Sequence, residues 1–233
     1  MTEQTKAFPE IRRDFARVSS ELVAQAAGFQ AAILADVNER RGALHGRIAA
    51  VSPSMKLAGS AVTVEVRPGD NLMIHAAMAI AHPGDVLVID GKGDLSSALM
   101  GAIMMNQAKA MGLAGVVVDG AVRDILELQE LGFPVFAAGT NPNGPTKYIP
   151  GRVNWDISIG GVAIHPGDLV VGDADGVVVI EREKVASLMA PAARKVADEN
   201  KRIQGILRGE QLRPGWLDGA LAAAGLLKQG ETL

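Results

Sequence analysis

The chain contains no cysteine. That excludes disulfides, thiolate nucleophiles and cysteine-ligated zinc. Aromatic residues make up only 3%, so stacking of bases or sugars on aromatic platforms is not expected. A basic excess is also missing. The 23 Lys and Arg face 26 Asp and Glu, a formal net charge of −3. Neither a nucleic-acid surface nor a membrane surface is implied. No apolar run reaches the roughly 18–20 residues of a spanning helix. Residues 1–17 carry charges of both signs and no apolar stretch of signal-peptide type. The expectation is a soluble, cytoplasmic protein.

What is there points to a well-packed α/β protein. Hydrophobic residues make up 48% of 233, and glycine occurs 27 times. A core of Val, Ala, Leu and Ile with many tight turns follows. Residues 3–14 are polar and mixed, which predicts a frayed arm. From Ser19 to Asn38 the apolar spacing predicts one or two short helices broken at Gly28, with Ser19-Ser20 as the N-cap region. Residues 61–66 are rich in β-branched side chains and read as a strand.

Pro-Gly-Asp occurs at 68–70, 83–85 and 166–168. Proline presets the first central position of a turn and glycine accepts positive φ at the second. The last two copies feed apolar runs, Val86–Ile89 and Leu169–Val171. The first leads into a helical pattern that begins Asn71-Leu72-Met73. After Ile89 a helix is expected to run to Met111, starting at Ser96, Ser97 or near Gly101. A strand at 114–118, a helix at 124–131 and a strand from Pro134 follow. This alternation predicts partly parallel strands. Residues 139–155 read as loop. From 157 the pattern becomes all-β, with a hairpin turn at Asp173–Gly176. A long helix is expected from Glu183 to Leu207, its stripe formed by Val185, Met189, Ala192, Val196, Ile203 and Leu207. Pro191 could kink it and Gly209 stop it.

One stretch carries the chemistry. The run Ala114–Val118 ends in Asp119-Gly120-Ala121-Val122-Arg123-Asp124. A guanidinium beside a carboxylate suits an anionic substrate and a hard divalent ion. The competing reading is a capping box, since Glu127 follows Asp124 by three residues. If a helix starts at Gly101-Ala102-Ile103-Met104, its free N–H groups could hold a carboxylate. Asn71 and His75, four apart, share a helix face; they are either pocket-facing or a hydrogen-bonded half-buried pair. His45, His82 and His165 have no metal-ligand spacing. Gly91-Lys92-Gly93 lacks the spacing of a P-loop. Nothing near Lys92 in sequence would depress its pKa for Schiff-base work. Glu199 lies at the margin of the long helix's stripe, either on a solvated flank or against a partner subunit.

Several of these segments together resemble the RraA-like family. They are Gly115–Asp124, Gly132-Phe133-Pro134-Val135-Phe136, Pro68–Asn71 with His75, and His165–Asp168 to Asp173–Val177. The resemblance covers residues 30–185. It implies a single swivelling β/β/α-type α/β domain with N- and C-terminal helices. The corresponding division is an arm at 1–18, the α/β domain at 19–182 and a helical extension at 183–233.

The family comprises class II pyruvate aldolases and regulators of ribonuclease activity. The aldolases cleave 4-hydroxy-4-methyl-2-oxoglutarate and 4-carboxy-4-hydroxy-2-oxoadipate, and decarboxylate oxaloacetate. By resemblance the chain is a lyase and a homotrimer or homohexamer with sites between subunits. Asp124 would bind Mg²⁺ or Mn²⁺ and Arg123 the keto acid. The N–H groups around Ile103 and Met104 would hold the pyruvate carboxylate, and Glu199 would reach a neighbouring subunit's site. The chain departs from the aldolase motif at one position. The first aspartate of that motif, which the resemblance implies governs proton transfer, is Ala102 here; Asp94 and Asn106 are the nearby substitutes. Decarboxylation is therefore expected to survive better than aldol cleavage. The alternative is a non-catalytic regulator acting through its oligomer surface.

Overall fold

The structure is a computed structural model that describes residues 10–210 and 212–233. Residues 3–9 of the expected arm lie outside them. The chain divides into two compact units, up to Ala192 and from Ala193 onward.

The first unit is built on one eight-stranded mixed sheet. Its parallel centre is β2 (Leu57–Glu65), β3 (Asp85–Met100), β4 (Gly115–Val122) and β5 (Val135–Thr140). These are joined by α3 (Leu72–Ile80), α4 (Ala102–Ala110) and α5 (Ile125–Leu131). Two helices, α1 (Ser20–Ala26) and α2 (Ala31–Val37), and the short β1 (Ala49–Ala50) precede them. Strand β1 pairs antiparallel with β5. On the other side β2 pairs antiparallel with β9 (Leu169–Asp173), which turns into β10 (Gly176–Ile180). A short β6 (Arg152–Val153) also pairs with β2, and β7 (Ile157–Ile159) with β8 (Val162–Ile164) forms a separate hairpin.

The period of two decides which side chain meets which layer. Leu87 and Ile89 join one core cluster with Ile74, Met78, Met105 and Leu128 from the three helices. Val86 and Val88 join the other, with Phe136, Ile159, Ile164 and Val179. Both sets are fully buried, which is why β3 and β4 begin as unbroken apolar runs rather than alternating ones.

The Ser19 hydroxyl caps α1, accepting from Leu22 N–H at 3.4 Å, and Gly28 lies between α1 and α2 as expected. Residues 10–14 differ from the frayed expectation, and the chain as far as Val18 is tied down. They lie along the sheet: Arg12 N–H donates to Val153 O, Arg17 forms a two-pronged bond to buried Asp85, and Val18 N–H donates to Ser60 Oγ. The partners are 42 to 141 residues away, so no local pattern reports them.

The helix expected from Ser96 or Ser97 is a strand instead. β3 continues to Met100 through three register shifts against β4, and α4 begins only after Gly101. Lys92 (φ 62°) and Gly93 (φ 69°) redirect the strand. The segment after β5 then supplies replacement partners: Asn141 Nδ2 donates to Leu95 O, Asn143 Nδ2 to Ser96 O, and Ala98 N–H to Asn143 O.

The long helix α6 (Val185–Leu207) runs through Pro191 without a break. Its stripe divides: Val185, Met189 and Ala192 are buried, whereas Ile203 and Leu207 are exposed. In the second unit, α7 (Leu217–Ala223) follows, and Leu212, Trp216 and Leu226 are also exposed. Among the described residues no helix is long and apolar enough to cross a membrane.

Candidate active site

Asp124 does not cap the helix that follows it. Its backbone is left-handed (φ 61°, ψ 46°), and its side chain makes no capping bond to α5. The carboxylate turns the other way. Its Oδ2 accepts a 2.8 Å hydrogen bond from Ala102 N–H, the first residue of α4. A non-glycine residue in this region costs about 1–3 kcal/mol, so it persists only where its surroundings fix it. The capping-box reading of Asp124 and Glu127 therefore fails, because the sequence spacing was right and the backbone conformation was not.

This contact leaves α4's first turn otherwise open. Met105 N–H makes the first bond of the helix, to Gly101 O at 3.1 Å. The N–H groups of Ile103 and Met104 have no acceptor among the described residues. They sit beside Arg123, whose one ion pair among the described residues is a long one, 3.7 Å to Asp124 Oδ2. Arg123 and Asp124 are 40% and 35% exposed in their side chains, enough to meet a ligand.

Gly101 makes this crowding possible. A Cβ there would stand 2.4 Å from Asp124 Oδ2 and 2.9 Å from Arg123 Cγ. Its φ of −148° is ordinary extended backbone, so the requirement is space and not conformation.

Asn71 and His75 form the opposite wall of the same cavity, which measures about 150 Å³. Asn71 is 2% exposed. Its Nδ2 donates to Leu99 O at 3.0 Å and contacts Met104 Sδ at 3.2 Å. That fixes the amide and leaves Oδ1 buried without a partner. His75 Nε2 is likewise buried and unpartnered. A buried polar atom without a bond costs about 1–3 kcal/mol. Both residues line the cavity, and their unpartnered atoms are closed off from solvent in this structure. The half of the reading in which Asn71 and His75 satisfy each other is thereby overturned.

The structure thus brings Asn71, His75, Gly101, Ile103, Met104, Arg123 and Asp124 to one cavity, from β3, β4 and the starts of α3 and α4. Ala102 contributes its N–H to Asp124 and no acid. Neither Asp94 nor Asn106 lines the cavity. Asp94 holds the Ser96 hydroxyl and N–H, and Asn106 Nδ2 donates to Ala102 O.

Lys147 and Pro145 also line it, and sequence reasoning missed both. Residues 141–149 carried only turn signals. The clue lay elsewhere, in the first Pro-Gly-Asp: buried Asp70 accepts from Thr146 Oγ1 (2.6 Å) and Tyr148 N–H (2.8 Å) and holds this loop over the site.

Glu199, in the second compact unit, pairs with Lys195 at 2.9 Å, an i,i+4 arrangement. Among the described residues no cluster of three or more His, Asp or Glu side chains could hold a metal. Any ion at this site would rest on Asp124 with water and substrate oxygens. A single hard carboxylate fits Mg²⁺ or Mn²⁺ in that manner, and Asp124 Oδ1 has no donor among the described residues.

A larger cleft, about 650 Å³, is lined by Arg47, Glu65, Asp90, Lys92 and Asp119. These five charges satisfy one another. Arg47 makes a two-pronged bond to Asp119, and Lys92 bonds Asp90 and Glu65. Burial would lower the Lys92 pKa, but the bonds to Asp90 and Glu65 outweigh it and raise it. That is the wrong direction for a Schiff-base nucleophile. Asp119, five residues before Asp124, is therefore a structural partner of Arg47.

Comparison with known proteins agrees with this architecture. A model of the RraA-like family, described as Aldolase/RraA, matches residues 20–179. A relative from Halalkalibacterium halodurans, named "Putative 4-hydroxy-4-methyl-2-oxoglutarate aldolase", is 47% identical over 151 residues, spanning 65% of this chain and 72% of that protein. Among solved structures, an uncharacterised protein from Pseudomonas syringae pv. tomato superposes with a TM-score of 0.77 at 26% identity, covering 84% of this chain and 93% of that one. Streptomyces coelicolor RraAS2, described as an unusual member of the RNase ES inhibitor RraA family, gives 0.74 at 30% identity, covering 81% and 99%. The chain belongs to the RraA-like aldolase family, with its mixed α/β fold, central sheet and long C-terminal helix.

Proposed function

We propose that the chain is a divalent-metal-dependent lyase that cleaves a C–C bond of a dicarboxylic 2-keto acid through the enolate of pyruvate. Oxaloacetate is the favoured substrate, ahead of 4-hydroxy-4-methyl-2-oxoglutarate. The observation that carries this reading is the convergence on one cavity of Arg123, Asp124, the open amides of Ile103 and Met104, and the side chains of Asn71 and His75, each with a polar atom that has no partner.

The roles follow from charge. The amides of Ile103 and Met104 take the substrate's C1 carboxylate at the positive end of α4. Arg123 faces the C2 oxygen, where negative charge grows as the bond breaks. Asp124 would hold Mg²⁺ or Mn²⁺, which supplies Lewis-acid stabilisation of that oxygen. Lys147, on the loop, and His75, on α3, also line the cavity, and a substrate's second carboxylate would meet them there.

In decarboxylation the C3–C4 bond breaks, its electron pair enters the enolate, carbon dioxide leaves, and a proton then adds at C3. No base is needed to start. Aldol cleavage instead requires a base to take the proton of the C4 hydroxyl, and position 102 offers only a methyl group. The ranking of the two substrates rests on that difference.

Exposed Ile203 and Leu207 on α6 support a homo-oligomer, for which we infer a trimer or hexamer, with Glu199 meeting a neighbouring subunit. A second reading, a regulator without catalysis, is favoured by the missing acid at 102 and by the likeness to RraAS2. Pyruvate release from each substrate with Mg²⁺, then with EDTA, separates the two readings. No release from either substrate with metal present defeats the lyase.

A further inference from the structure

The first Pro-Gly-Asp turn does more than start α3. Asp70 is 1% exposed and every bond its carboxylate makes runs to one of two segments. Oδ1 accepts from Leu72 N–H at 3.0 Å, in the first turn of α3. Oδ2 accepts from Thr146 Oγ1 at 2.6 Å, Tyr148 N–H at 2.8 Å and Ile149 N–H at 3.2 Å. The backbones are laced as well: Thr146 N–H donates to Gly69 O and Asn71 N–H to Thr146 O.

The two segments form two walls of the cavity. Next to Asp70 stands Asn71, with His75 one turn on. Flanking Thr146 stand Pro145 and Lys147, which also line it. Lys147 is itself exposed and has no ion-pair partner among the described residues, so nothing but its backbone directs it. A flexible ammonium on a loop is placed by what holds the loop. Here that is a buried carboxylate with three donors from residues 146–149. Burial opposes charge on Asp70, but the Thr146, Tyr148, Leu72 and Ile149 donors outweigh it and keep its pKa low, so the clamp is ionised at neutral pH.

Resting on the lyase reading, we propose that Asp70 is a positioning residue which sets Lys147 against the second carboxylate of the substrate. Its effect falls on recognition of that distal group rather than on the pyruvyl end. Asp70→Asn keeps the volume but removes the charge and sets an amide donor against either Leu72 N–H or the Thr146, Tyr148 and Ile149 donors, so the tie between the two segments weakens.

The test is calorimetric binding of two inert ligands in Mg²⁺: 2-oxoglutarate, which carries a distal carboxylate, and pyruvate, which does not. Asp70→Asn is expected to weaken 2-oxoglutarate by about tenfold, the scale of one charged contact, and pyruvate by less than about twofold. In a Lys147→Ala background the same substitution should have no further effect on 2-oxoglutarate, since the group it positions is gone. Equal weakening of both ligands, or effects that multiply in the double variant, would overturn the proposal, because a general structural defect gives those outcomes. So would a wild-type protein that does not prefer 2-oxoglutarate to pyruvate. Should Asp70→Asn fail to fold, Thr146→Val decides: it deletes one donor, keeps the carboxylate, and should shift the same preference by a smaller factor. Binding is read without turnover. An inactive wild-type protein would end the lyase reading while leaving this comparison intact.

Discussion

Replacing Gly101 by alanine tests the geometry of the site with one methyl group. The new Cβ would lie 2.4 Å from Asp124 Oδ2, 2.9 Å from Arg123 Cγ and 3.1 Å from Arg123 Nε. Ordinary carbon contacts are about 3.5 Å or more, so the carboxylate must retreat by roughly 1 Å. Retreat breaks its 2.8 Å bond to Ala102 N–H. A hydrogen bond to a charged group is worth about 1.5–3 kcal/mol. The lower entropy of the unfolded alanine chain offsets about 0.4–1 kcal/mol of that, because φ −148° is open to alanine. The net loss of about 1–2 kcal/mol lowers Tm by roughly 2–8 °C in a domain of this size. The effect on catalysis should be larger, since a 1 Å misplacement of a reacting group costs about 100-fold. The assay is Mg²⁺-dependent pyruvate release from oxaloacetate, coupled to NADH oxidation, beside a thermal melt. A variant that melts a few degrees lower yet keeps kcat/KM near wild type would refute the reasoning, for Arg123 and Asp124 would then not need their present places.

Three further outcomes follow from the same contacts. Asp124→Asn keeps an oxygen for Ala102 N–H but loses the charge, so it should melt near wild type while Mg²⁺-dependent pyruvate release falls by about 100-fold or more; undiminished activity would remove the metal assignment. Ala102→Asp should raise cleavage of 4-hydroxy-4-methyl-2-oxoglutarate by about 100-fold, the low end of general-base contributions, and unchanged turnover would leave Ala102 irrelevant to substrate choice. His165 has its pKa raised first by the hydrogen bond with Asp156 at 3.0 Å, with Asp168 and Glu181 adding charge. Its contribution is therefore complete below about pH 6.5, the unfolded value, and is lost as pH rises through the higher folded value. Tm should fall over that window in the wild type and less in Asp156→Asn, by a small amount because the pair is mostly exposed.

Short-range signals were legible. The Pro-Gly-Asp turns, the cap at Ser19, the helix ending at Leu131 and the hairpin at Asp173–Gly176 each depend on neighbours a few residues apart, and all stand where they are expected. The misreadings have one physical origin. Ser96 and Ser97 looked like helix caps because nothing local shows that residues 141–144 will hydrogen-bond residues 95–98. Asp124 looked like a cap because spacing carries no information about a positive φ, which is set by Ala102 across 22 residues. Residues 10–14 looked frayed because their partners lie near Val153. Lys147 was invisible since an exposed lysine in a turn-rich loop has no pattern of its own; it is its neighbours Thr146 and Tyr148 that bond Asp70.

The site also explains why a missing acid need not dismantle it. Asp124 is held by Ala102 through a backbone N–H, a bond that any residue except proline at position 102 can make. The amides of Ile103 and Met104 are likewise main-chain groups, and Asn71 is anchored to the carbonyl of Leu99. None of these depends on the side chain at 102. On the proposed reading, the anion-binding and charge-stabilising half of the site can therefore persist while the proton-transferring half is lost. On the proposed lyase reading, a chain with Ala102 is left with the chemistry that needs no base, and carbon dioxide is the leaving group that meets this condition. The ratio of oxaloacetate to hydroxy-methyl-oxoglutarate turnover measures how far the two halves have separated. If Ala102→Asp leaves that ratio unchanged, the division of the site into a backbone-held half and a side-chain half is wrong.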